Sequence, residues 1–274
     1  MLLFETITFW IAVVAYAGSF GLFAFGMTMS KAVWVGRALR TMQFGFLLHT
    51  IALLIRWMYS GHPPFVSSFE SMSAAAWFGV LGYLLLAEKK PEFTSTGVGL
   101  AAVVFLLLGW SSTPSISGEA LSPSLQSVWL FIHATFATAG TGAFLFAAGI
   151  SMIWIKQVRQ GTDIKTEEMR YPSPEAFDEM AHRTIIIGFL FYTMMLISGA
   201  IWANQAWGRY WGWDPIESWS LFAWLIYAIY LHIHFTFKKL RGQFTAWYAI
   251  IAAAIAAFSL WGVGYVYATI HTYG

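Results

Sequence analysis

Trp202-Ala-Asn-Gln-Ala-Trp207-Gly-Arg-Tyr-Trp211-Gly-Trp213-Asp-Pro-Ile-Glu-Ser-Trp219 separates two apolar stretches, at roughly 184–204 and 217–237. Each flank is long enough to cross a bilayer as a helix, which takes about 20 residues. Six of the fifteen tryptophans lie between Trp202 and Trp224. Indole is a large apolar surface with one N–H donor and collects at membrane–water boundaries, so scattered tryptophans would read as an aromatic belt. This stretch is more ordered than a scatter. Gly208 and Gly212 alternate with the rings, letting the backbone turn tightly and approach a ligand. Asp214 suits a helix N-cap, Pro215 the first helical position, and Glu217 the third, which together make a capping box. A helix therefore starts at about residue 215, and Asp214 and Glu217 have a structural role before any chemical one. The aromatic shelf suits a flat, largely apolar ligand.

Working outward, eight apolar stretches read as spanning helices: roughly 6–29, 39–59, 71–87, 95–110, 127–155, 184–204, 217–237 and 245–268. The fold expected is all-α, one integral membrane unit over 1–274. Of the residues, 58% are hydrophobic and 10% charged, which excludes an ordinary soluble domain. A net charge of +2 gives no pull toward nucleic acid, so the expected surroundings are membrane lipid. The absence of cysteine excludes thiol–disulfide exchange by this chain. Met-Leu-Leu-Phe-Glu at the start lacks a basic n-region, so the first stretch is expected to persist as a span.

The basic residues set the topology. Lys31, Arg37, Arg40, Lys89, Lys90, Lys156, Arg159, Lys165, Arg170, Arg183, Lys238, Lys239 and Arg241 fall on one side of an eight-span arrangement. Only Arg56 and Arg209 fall on the other. The positive-inside rule then puts both termini and the tryptophan loop outside the cytoplasm. The segment 157–182 reads as a solvated cytoplasmic loop, with a helix start at Ser173-Pro174-Glu175.

Depth sorts the histidines. His49 lies about 14 Å, and His232 about 9 Å, from the cytoplasmic boundary along their helices. Ionisable groups at such depth are rare and usually functional, and two on separate spans suggest a shared ligand. His133 sits about 9 Å below the outer boundary and His271 follows the last span. These two bracket the tryptophan loop and could coordinate one iron through neutral imidazole. His62, His182 and His234 read as turn, boundary and opposite-face residues without ligand roles. Arg209 and Arg56, the two outer cations, are candidates for pairing with a ligand carboxylate.

Trp207-Gly-x-Tyr210-Trp211-x-Trp213-Asp214-Pro-x-Glu-x-Trp219 resembles the tryptophan-rich WWD signature of haem-handling proteins in cytochrome c maturation, most closely the CcsA/ResC branch of System II. Ser127-Val-Trp-Leu-Phe-Ile-His133, Arg183-Thr-Ile-Ile-Ile-Gly-Phe189, Tyr230-Leu-His232, His271-Thr-Tyr-Gly274 and the Gly61-His62-Pro63 turn extend the likeness from about residue 45 onward. Ile216 stands where that branch carries lysine. The resemblance implies His133 and His271 as axial ligands of an external haem, and His49 and His232 as ligands within the membrane. It implies haem b (protohaem), bound by the aromatic loop, moved across the membrane and presented outside for covalent attachment to apocytochrome c. The implied partners are a CcsB/ResB-type membrane protein and thioredoxin-like thiol reductants, in a bacterial cytoplasmic or thylakoid membrane. Synthase, lyase and transporter all stay open as descriptions. A haem-binding regulator would not need both external histidines, and a proton-coupled solute transporter would need acidic partners buried in the spans, where none is convincing from sequence.

Overall fold

The computed structural model describes residues 2–111, 126–160 and 172–269. Its regular elements are helical, with no strand among the described residues. They are α1 (Leu2–Thr28), α2 (Ala32–Ser60), α3 (Ser68–Lys89), α4 (Gly97–Ser111), α5 (Val128–Gln160), α6 (Pro174–Trp207), α7 (Pro215–Thr236) and α8 (Gln243–Ala257). A π-helical stretch, Phe258–Gly262, joins α8 to a final turn, α9 (Val263–Val266). Eight spans long and apolar enough to cross a membrane result, as the hydropathy pattern predicts. The chain crosses back and forth, so the tryptophan loop and the 61–67 turn share one face. The basic turns at 29–31, 90–96 and 237–242 share the other.

The largest difference from expectation is α6. It starts ten residues earlier than the apolar pattern suggests, because Ser173 caps it by accepting from the Ala176 N–H at 3.2 Å. Residues 174–182 are therefore the ordered first turns of a spanning helix rather than solvated loop.

Helix α5 is the hub. Its most hydrophobic window is 78% buried, and it packs on α3, α4, α6 and α8. One buried cluster joins α1–α4 to α5 and takes in Phe177 and Ala181 of α6 and Ala246 of α8; a second joins α5 to α6–α8. Between membrane helices there is no hydrophobic drive to associate, and close van der Waals packing must serve instead. Small residues allow it. A Cβ added at Gly99 would lie 2.4 Å from the Gly149 carbonyl oxygen, and one at Gly142 would lie 2.5 Å from that of Ala75.

Arg56 is 1% exposed and binds Glu5 at 3.0 Å and Glu70 at 2.8 Å, tying α1, α2 and α3 together near the loop face. Glu70 also accepts from the Ser67 N–H and so closes the α3 capping box. The spans thus do bury acidic partners, which the sequence reading did not find. They serve Arg56, and neither His49 nor His232.

Candidate functional site

The aromatic loop is built by two caps. Gly208, at φ 73°, ends α6 and donates its N–H to the Asn204 carbonyl at 2.9 Å. Asp214 and Glu217 then start α7 as the sequence predicts. Asp214 accepts from the Ile216 N–H at 3.0 Å; Glu217 accepts from the N–H groups of Asp214 and Gly212 at 3.1 and 2.8 Å. Asp214 also accepts from the Thr269 hydroxyl at 2.6 Å, fastening the chain beyond the last span to the loop.

Between the caps the backbone is crowded. A Cβ at Gly212 would lie 2.2 Å from the Arg209 guanidinium carbon, so a side chain there would push the guanidinium off the loop. Trp213 adopts φ 57°, a conformation that costs a non-glycine residue about 1–2 kcal/mol. It leaves the indole 71% exposed, edge-on to Trp211 at 5.8 Å. Tyr210 is exposed as well. Trp207 packs edge-on to buried Trp202 at 4.9 Å, and Trp219 edge-on to Phe258 at 4.9 Å.

Beneath this shelf lies His133, one turn into α5. Its Nδ1 is 2.9 Å from the Met195 carbonyl oxygen of α6. A carbonyl only accepts, so Nδ1 carries the proton and the lone pair is on Nε2. This is how a metal-binding imidazole is usually oriented. The ring stacks on Trp202 with centroids 6.2 Å apart, and a Cβ at Gly199 would come within 2.6 Å of Nδ1.

Two adjoining hollows open around His133. One, of about 500 Å³, runs under Tyr210, Trp211 and Glu217. The other, of about 740 Å³, runs toward Phe65, Ser68, Ser71, Thr138 and Trp261. They share His133, Trp202, Ile216 and Leu260 as walls. Leu260 and Trp261 belong to the π-helical stretch, a feature frequent at functional sites. Ser259 anchors that stretch on Tyr192 at 3.0 Å, and Trp261 donates to the Ser71 hydroxyl at 3.0 Å.

The remaining predicted residues are dispersed. His271 lies outside the described residues. Arg56 is buried and bound by Glu5 and Glu70, whereas Arg209 is the cation of the tryptophan loop itself. His49 is fully buried, with Nε2 2.8 Å from the Ser73 hydroxyl and Nδ1 3.3 Å from that of Tyr16, so both nitrogens are engaged. His232 is exposed on α7, which packs on α6 and α8, whereas α2 packs on α1 and α3. The two are not brought together.

His234, read from sequence as a residue without a ligand role, is the buried one on α7. Its Nε2–H donates to Asp178 at 3.0 Å, and its ring stacks on His182 at 3.6 Å. Asp178 further accepts from the Thr245 hydroxyl at 2.8 Å and the Gly242 N–H at 3.2 Å, and Arg241 donates to the His234 carbonyl. The sequence reading also missed Met195, Gly199, Leu260 and Trp261. Gly199 alone carried a signal, as an isolated glycine within a helical pattern.

These features define an eight-span helical membrane protein with an aromatic, apolar cleft around one carbonyl-oriented histidine. Residues 65–271 match the family model described as cytochrome C assembly protein. The chain is 31% identical over 255 residues to "Cytochrome c biogenesis protein CcsA" of Parasynechococcus marenigrum (strain WH8102), covering 83% of each. It is 34% identical over 236 residues to the protein of that name from Chlamydomonas reinhardtii, covering 83% of this chain and 65% of the relative. Among solved structures, "Cytochrome c Heme Lyase CcmF" superposes with a TM-score of 0.74 at 19% identity, over 94% of this chain and 46% of that one, a likeness of fold. The chain belongs to the cytochrome c assembly protein family. It is an integral membrane protein of cytochrome c biogenesis and haem handling.

Proposed function

We propose that this chain receives haem b and holds it in the cleft beneath the tryptophan loop, on the extracytoplasmic face, for attachment to apocytochrome c. The observation that carries this is the His133 ring, a wall of both hollows whose Nδ1 proton is held by the Met195 carbonyl, so that Nε2 is the nitrogen with the lone pair. The cleft around it fits the cargo: aromatic walls suit a flat macrocycle, and the Arg209 guanidinium suits its carboxylates. His271 is the proposed second ligand, and Tyr210, Trp211 and Trp213 the shelf. His232, exposed on α7, is the candidate for haem contact within the membrane. His49, with both nitrogens engaged, is a packing residue in this reading.

Haem supplies two vinyl groups to which cysteine sulfurs add. Each addition makes a carbon–sulfur bond, moves the sulfur's proton to the neighbouring carbon, and needs no oxidant. The protein's part is to hold, orient and keep water away. A cysteine-free chain relies on separate thiol-reducing proteins of the thioredoxin type. A CcsB/ResB-type membrane protein is the proposed partner, in the bacterial cytoplasmic or thylakoid membrane. The charge asymmetry supports the sidedness, with thirteen basic residues on the face opposite the loop.

The test is replacement of His133 by glycine. The variant should insert normally, lose cytochrome c assembly, and recover part of it when imidazole is supplied to the vacated position. Unimpaired assembly without imidazole removes His133 from the site.

A further inference from the structure

The chain turns outward after Val263. Residues 264–268 are exposed, Tyr265 at 66% and Tyr267 at 44%. Thr269 then returns to the protein and donates its hydroxyl proton to Oδ1 of Asp214 at 2.6 Å. That length is usual for a hydroxyl on a carboxylate, the stronger class of hydrogen bond. Asp214 is buried, and the same Oδ1 accepts from the Ile216 N–H at 3.0 Å and so caps α7. The chain beyond the last span is thereby fixed to the start of α7. There Ile216 and Glu217 form a wall of the hollow that His133 also lines. The anchor is rigid, since Pro215 and the bonds from Gly212 and Asp214 to Glu217 hold the same turn.

His271 stands two residues after Thr269, so their Cα atoms are at most about 7 Å apart by any backbone path. An imidazole on an unrestrained chain end would meet the iron at a low effective concentration. Holding the chain at Thr269 confines it to the neighbourhood of the loop and raises that concentration. We propose that Asp214, acting through Thr269, is the positioning residue for His271 as the second axial ligand of the haem. The inference rests on the proposed haem site. It gives aspartate at 214 a task beyond capping. Asn, Ser or Thr would also start α7, but a carboxylate holds a hydroxyl more firmly than their neutral oxygens do. The two ligands are then placed by different means. His133 is set within a span by the Met195 carbonyl at 2.9 Å, and His271 by a side-chain bond at a residue beyond the last span.

Thr269→Val keeps the branched shape and removes the donor, whereas Thr269→Ser keeps the donor. Both full-length variants, with His271→Gly beside them, are expressed with the cytochrome c assembly machinery and compared at equal amounts in the membrane. Thr269→Val should lower cytochrome c yield about tenfold, in keeping with the loss of one charge-assisted bond, and Thr269→Ser should match the parent. Imidazole added to the cells should restore part of the Thr269→Val yield, as it should for His271→Gly. Added to the purified Thr269→Val protein, it should return the haem absorption bands to those of the parent. Dissolved imidazole can replace a misplaced ligand but cannot repair a bond that only stabilises the fold. Parent-like yield and bands in Thr269→Val, or a deficit that imidazole leaves in place, overturn the assignment. Normal cytochrome c assembly by His271→Gly overturns it together with the second ligand. Failure of the haem site itself has a separate signature, unaltered haem content in His133→Gly, which none of the Thr269 variants registers.

Discussion

Gly199→Ala is the sharpest probe of the geometry at His133. The added methyl would lie 2.6 Å from Nδ1 and 2.8 Å from Cε1 of a ring already packed on Trp202. To regain an ordinary 3.4 Å contact the ring must retreat by about 0.8 Å. Met195 is one helical turn from Gly199, so the retreat also lengthens the 2.9 Å bond to its carbonyl past hydrogen-bonding range. Overpacking of this kind costs about 1–3 kcal/mol of stability. Loss of the partner that orients a ligating imidazole costs about 10–100-fold in affinity. The assay is a haem titration of purified protein, followed by absorbance, beside thermal unfolding in the same detergent. Gly264→Ala is the control, since nothing lies within 4 Å of its added methyl. We expect Gly199→Ala to bind haem at least about tenfold more weakly, with shifted bands, and the control to match the parent. An unchanged spectrum with affinity within about twofold of the parent would refute the claim that Met195 and Gly199 set the His133 ring.

Three other outcomes follow from named contacts. Asp214→Ala removes the α7 cap and the Thr269 attachment together and should lower stability by about 1–2 kcal/mol; limited proteolysis should show the end of the chain cut faster, and equal rates would remove the fastening role. Arg56→Ala leaves two buried carboxylates without their cation and should cost about 3–5 kcal/mol, measured by unfolding in detergent, whereas loss of an exposed arginine would cost under about 1. His49→Ala abandons the Tyr16 and Ser73 hydroxyls inside the core and should destabilise by about 1–3 kcal/mol, whereas His232→Ala on the exposed face of α7 should leave stability unchanged and lower haem content. The reverse ordering would return the intramembrane role to His49.

What could be read from the chain alone was whatever local rules decide. The capping box at Asp214, the eight spans and the position of His133 beside the loop depend on neighbours within a few residues or on hydropathy. The misreadings share a cause in pairing over long sequence distance. Arg56 looked available because Glu5 is 51 residues away, and only helix packing reveals that both carboxylates reach it. His232 and His234 are correctly placed on opposite faces by helical geometry, but which face meets the bundle is set by α6 and α8. The helix start at Ser173 was legible, but the mixed charge after it made the stretch that holds Asp178 and His182 read as loop, where the structure continues it into the span as α6. The π-helical stretch was not read from the sequence, and its contacts with Trp219, Tyr192 and Ser71 come from three other helices.

The knot of Asp178, His234, Gly242 and Thr245 sits at one end of α6, α7 and α8, and the cleft that these helices border sits at the other. Asp178 is about 44 Å from Trp207 along α6. The three rods are therefore riveted far from their working tips, like the blades of long-handled shears. A tilt of about 5° at that knot corresponds to about 4 Å at the tryptophan end, so the width of the cleft is set by the bonds higher in the span that oppose such a tilt, Trp224 to Thr193, Tyr248 to the Ile226 carbonyl and Tyr192 with Ser259.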